Sequence, residues 1–87
     1  MSRATRSLLR ATYTTAELHA KAARWAEILH RLIDGMATPD ECRELLALDP
    51  IVRPFQSWSA PLTRPLLWHY LRRARQIAAR ATSESQA

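Results

Sequence analysis

The stretch "TTAELHAKAARWAEILHRLIDGMATPDECRELLALDP", residues 14–50, sets the fold. It opens with Thr14 and Glu17 at capping-box spacing, where the threonine hydroxyl accepts from the Glu17 amide and the Glu17 carboxylate accepts from the Thr14 amide. Apolar residues then recur at Leu18, Ala22, Trp25, Leu29, Leu32 and Met36, in steps of four and three that draw one stripe along a helix. Ala26, Ile28 and Ile33 widen the stripe to a core-facing surface. The spacing predicts a helix running to Asp34, with Gly35 supplying the left-handed stop. On the opposite face Glu17 and Lys21, and Glu27 and Arg31, stand four residues apart and are expected to pair.

A second start follows at once in "TPDE": Thr38 as cap, Pro39 at the first helical position, and Asp40 and Glu41 beside the positive helix end. This helix directs Cys42, Leu45, Leu46 and Leu48 inward. It is expected to end at Asp49–Pro50, because proline lacks an amide donor and restricts the residue before it. So few residues separate the two helices that they must form a tight hairpin.

Beyond the hairpin, Pro50, Pro54 and Pro61 predict a short helical turn followed by a proline-rich corner. A last helix is expected from about Thr63 to Ala81, with Pro65 in its first turn. Its inner stripe is Leu67, Tyr70, Leu71, Ala74, Ala78 and Ala81, with Ile77 at the margin. Leu66 and Trp68 fall off that stripe on opposite sides, so "LLWHYL" is apolar around most of its circumference and requires cover on nearly all sides. Two sources of cover are available: Phe55 and Trp58 folding back from the corner, or a partner. Residues 1–13 read as a basic arm with at most a frayed turn, and residues 82–87 as a disordered tail. The expected architecture is all-α, a single domain over residues 14–81 with three main helices.

Composition narrows the function. With 87 residues, one cysteine and no Cys/His cluster at zinc spacing, the chain has neither an internal disulfide nor a structural metal to supplement a small core. Self-association, most simply a homodimer, is the expected supplement. No apolar run is long enough to span a membrane or to serve as a signal peptide, which predicts a cytoplasmic protein. The net charge of +5 is uneven: +3 over residues 1–13, −3 over residues 14–49 and +5 over residues 50–87. That layout suits an acidic partner surface, contact between copies, or nucleic acid.

Specific DNA reading is disfavoured. A helix-turn-helix needs its second helix within a few residues of the first, and here the one short-turn hairpin ends in a helix that opens with Asp40 and Glu41, which phosphate repels. Arg3, Arg6 and Arg10 with the terminal arginines remain candidates for nonspecific contacts. Catalytic signals are thin. His19 and His30 lie about 16 Å apart along one helix, too far to share a metal. His30 and Asp34 read as a surface pair, Cys42 as a small buried hydrophobe and His69 as solvated. There is no glycine-rich phosphate loop and no nucleophile elbow. No enzyme, cofactor or metal is expected.

The run Arg24–Trp58 orders its parts as a helix with a central Trp, a Gly turn, "TPDECRELLAL", then "P..RPF..W". That order resembles the QslA-like family of small all-helical bacterial antiactivators, which sequester LuxR-type quorum-sensing transcription factors. The resemblance covers less than half the chain and implies a helical homodimer that blocks a transcription factor. The basic C-terminal end has no counterpart in it.

Taken together, the residues predict an interaction protein that masks an acidic and apolar surface of another protein. Phe55, Trp58, Leu66 and Trp68 would be the anchors, and Arg72, Arg73 and Arg80 the steering charges. Leu18, Trp25, Leu29, Leu32 and Met36 form a seam for the core or for a second copy. The alternative is accessory, nonspecific nucleic-acid binding.

Overall fold

A computed structural model describes residues 3–55 and 64–86, and among them the chain is all-helical. Helices α1 (Arg3–Thr12), α2 (Thr15–Ile33) and α3 (Pro39–Val52) are followed by a 3-10 turn, Arg53–Phe55, and by α4 (Arg64–Gln86). Four helices therefore stand where three were expected. Both start signals of the hairpin operate as capping boxes: Thr14 with Glu17, and Thr38 with Glu41, with Pro39 opening α3. Gly35 takes φ 75, the left-handed stop expected of it.

The middle layer is α3, which packs against α2 on one side and α4 on the other, while α2 and α4 touch each other little. The core is built from Trp25, Ile28, Leu29 and Leu32 of α2, Cys42, Leu45, Leu48 and Val52 of α3, and Leu67, Leu71, Ala74 and Ala78 of α4. Ile28, Leu32, Leu45 and Leu67 are its largest fully buried side chains, each contributing about 1.5–3 kcal/mol through burial. The alanines let α4 sit close to α3.

Three expectations give way. The first concerns α3, which does not stop at Asp49 but carries Pro50 inside it and ends at Val52. An interior proline costs about 3 kcal/mol. Against that stand the burial of Val52, worth about 2 kcal/mol, and the bonds that hold Asp49 in helical conformation. The Trp25 indole Nε1–H donates to Asp49 Oδ1 at 3.1 Å, and Arg53 pairs with Asp49 Oδ2. Hydrogen bonds to a charged group contribute roughly 1.5–3 kcal/mol each, enough to override the local preference. Pro50 itself is exposed.

Secondly, the seam on α2 is only partly the core. Trp25, Leu29 and Leu32 are buried and Leu18 is half-buried, but Met36 is 65% exposed. Because α2 ends at Ile33, Met36 lies beyond the left-handed glycine, where the 3.6-residue period no longer places it. Ile28, at the margin of the expected stripe, is central instead.

Thirdly, both chain ends are more helical than expected. In α1, the arm gains distant partners: the Arg10 guanidinium lies 5.6 Å from the centre of the Phe55 ring, and Tyr13, just past the helix, carries Lys21 5.1 Å from its own ring centre. At the other end α4 passes Ala81, and Thr82 donates its hydroxyl to the Ala78 carbonyl at 3.0 Å. Trp58 and the corner around it, residues 56–63, lie outside the described residues.

Candidate binding surface

Charge divides the molecule. On the hairpin, arginines meet carboxylates of the same chain. Arg24 bonds Glu27 on its own helix and reaches across to Glu44, with Nε to Oε2 at 2.6 Å and Nη2 to Oε1 at 3.1 Å. Arg31 donates to Glu41 at 2.8 Å, Arg43 pairs with Asp40, and Arg53 with Asp49. The expected Glu27–Arg31 pairing gives way to these, because docking α3 beside α2 brings Glu41 and Glu44 within reach. The carboxylates respond. Glu17 and Glu41 lie below their ordinary range chiefly because each accepts from a cap amide, and Glu44 chiefly because Arg24 donates to it. The Arg24 guanidinium is in turn held more firmly protonated by Glu44.

Along α4 the arrangement is the reverse. Arg72, Arg73, Arg75 and Arg80 are all exposed, and no carboxylate among the described residues pairs with them. Beside them Trp68 is 61% and Leu66 41% exposed, although the opposite face of the same helix is fully buried at Leu67 and Ala74. The helix thus presents an exposed apolar group with unpaired cations on each flank of its buried stripe: Trp68 with Arg72 and Arg75 on one, Leu66 with Arg73 and Arg80 on the other. That is a composition found at binding hot spots.

Two depressions flank the 3-10 turn. The larger, about 600 Å³, lies between the end of α1, the start of α2 and the end of α3, and is lined by Arg10, Tyr13, Leu18, His19, Val52 and Phe55 among others. The smaller, about 230 Å³, is lined by Arg53, Trp68, Leu71, Arg72 and Arg75. Phe55 and Trp68, expected together as anchors, therefore line different depressions, and Phe55 is already covered in part by Arg10. Arg53 and Arg75 were missed as members of the cationic surface. Arg75 was legible, three residues after Arg72 and seven after Trp68 on one helical face. Arg53 was not, since its position depends on α3 continuing through Pro50.

The remaining chemistry-bearing residues are dispersed. Cys42 is fully buried and burial pushes its thiol up, away from the reactive thiolate. His19 and His30 are exposed on α2, and His69 meets Tyr70 edge to face at 5.3 Å. Among the described residues no group of three or more His, Cys, Asp or Glu is placed to hold a metal ion. No described helix is long and apolar enough to cross a membrane. On α1, Arg6 is exposed and Leu8 is 69% exposed; Arg10 is the arginine of the arm that has a described intramolecular contact. Compared with protein-family models, curated proteins and solved structures, the chain matches none.

Proposed function

We propose that this protein is a non-enzymatic interaction module that binds an acidic surface of another protein through the outer face of α4 and so masks it. The observation that carries this reading is the set of unpaired, exposed arginines on α4 beside the exposed Trp68 and Leu66, set against a hairpin whose arginines are taken by its own carboxylates. Unpaired cations keep their full attraction for an acidic partner, and the aromatic ring supplies the apolar contact that salt does not screen. A transcription factor as partner is the finer form of the proposal and rests on the resemblance of Arg24–Trp58 alone. A second copy of the chain, docking on exposed Ile33, Met36 or Leu8, is its oligomeric form.

Capture from a nuclease-treated bacterial lysate tests the reading. Wild-type protein is expected to retain a stoichiometric protein that Trp68→Ala and Arg72→Glu/Arg73→Glu lose, with helicity by circular dichroism unchanged. The second reading, nonspecific nucleic-acid binding, draws on the same α4 arginines and on exposed Arg6 of α1. It requires affinity that falls steeply with salt and is indifferent to Trp68→Ala.

A further inference from the structure

We propose that the notch between the 3-10 turn and α4 seats one carboxylate side chain of the partner, carried on an acidic peptide segment whose neighbouring apolar residue covers Trp68. The inference rests on α4 being a surface for an acidic protein, and it locates the anchoring point on that surface.

Three arginines line the notch. Arg72 and Arg75 are three residues apart on the face that also carries Trp68, and Arg53 arrives from the 3-10 turn. The nearby carboxylate, Asp49, is buried in the core and already accepts from Trp25 and Arg53, so the notch retains an excess of positive charge. That same pairing tethers Arg53, whose side chain is 25% exposed, and a tethered donor loses little freedom when a ligand arrives. Arg53 Nε is buried and has no hydrogen-bond partner among the described residues, so its N–H signal reports a change in the set of Arg53 when the notch is filled. The volume of about 230 Å³ corresponds to roughly eight water molecules at ~30 Å³ each. It accommodates one side chain with residual water. A nucleic-acid strand is tracked by cations spread along a groove; three arginines around one small depression fit a single carboxylate held by several guanidinium donors.

The test is titration of the full chain with a short fluorescein-labelled peptide of repeated Glu-Leu, and in parallel with an oligothymidylate of equal charge. Peptide binding is expected to weaken about tenfold or more in Arg75→Gln or Arg72→Gln, and less than about threefold in Arg73→Gln or Arg80→Gln, which lie outside the notch. In nitrogen–proton correlation spectra the Arg53 Nε–H and Trp68 indole signals should shift with bound peptide, a readout that needs no variant. Equal losses at all four arginines, or an unmoved Arg53 signal, would overturn the notch while leaving α4 as an acidic-protein surface. Binding of the oligothymidylate without the peptide would overturn both.

Discussion

The α2–α3 hairpin and the outer face of α4 carry similar numbers of arginines and use them in opposite ways. On the hairpin Arg24 and Arg31 join the two helices through Glu44 and Glu41. On α4, Arg72, Arg73, Arg75 and Arg80 are exposed and pair with no described carboxylate. Charge on the hairpin thus belongs to the structure, and charge on α4 is left over for something outside it. The apolar residues divide in the same manner: Trp25 is buried with its indole N–H bonded to Asp49, whereas Trp68 is 61% exposed.

The contrast can be broken by substitution, and the largest effects belong inside. Leu45→Ala empties the middle of the core and is expected to cost about 3–5 kcal/mol, read from urea unfolding followed by circular dichroism. For so small a domain that is a large share of the total. Next comes Asp49→Ala, which leaves Arg53 and the Trp25 indole without their acceptor and allows Pro50 to end α3. A loss of about 3 kcal/mol is expected, together with reduced helicity.

Acidification gives a smaller, graded effect. Glu17, Glu41 and Glu44 have folded-state values depressed below the ordinary 4.5. Their contribution is therefore complete above pH 4.5 and is lost as pH falls through the depressed values, so thermal midpoints should hold from neutrality to about that pH and fall below it. Smaller still is Glu44→Gln, which weakens a half-exposed pair and should barely move the urea midpoint. A large loss there would mean that the cross-helix charges hold the hairpin together, sharpening the contrast beyond its present form.

Much of the hairpin was legible because its signals are local. Thr14 with Glu17, Thr38 with Pro39 and Glu41, and Gly35 each act within one turn of their own position, and the stripe Trp25, Leu29, Leu32 follows from helical period alone. The same holds for Leu67, Leu71, Ala74 and Ala78 on α4. What the residues did not disclose depends on groups far along the chain. Pro50 stays helical because Trp25 and Arg53 fix Asp49 and because Val52 has a core to enter. Arg31 chooses Glu41 over Glu27 because α3 docks beside it. In α1, Arg10 and Tyr13 find ring and cation partners at Phe55 and Lys21. The candidate surface was half legible: Trp68, Leu66, Arg72, Arg73 and Arg80 are each exposed, on the two flanks where the helical period places them, whereas the notch needed Arg53, which only the continuation of α3 brings to Trp68.

The most direct test of the central claim is the affinity of a quadruple variant, Arg72→Gln/Arg73→Gln/Arg75→Gln/Arg80→Gln, for the Glu-Leu peptide, with its urea midpoint taken on the same sample. If α4 holds its charge for a partner, the unfolding free energy read from that midpoint stays within about 0.5 kcal/mol of wild type and the affinity is lost. An unfolded variant, or a folded one that binds the peptide as wild type does, would contradict the division of labour between hairpin and α4.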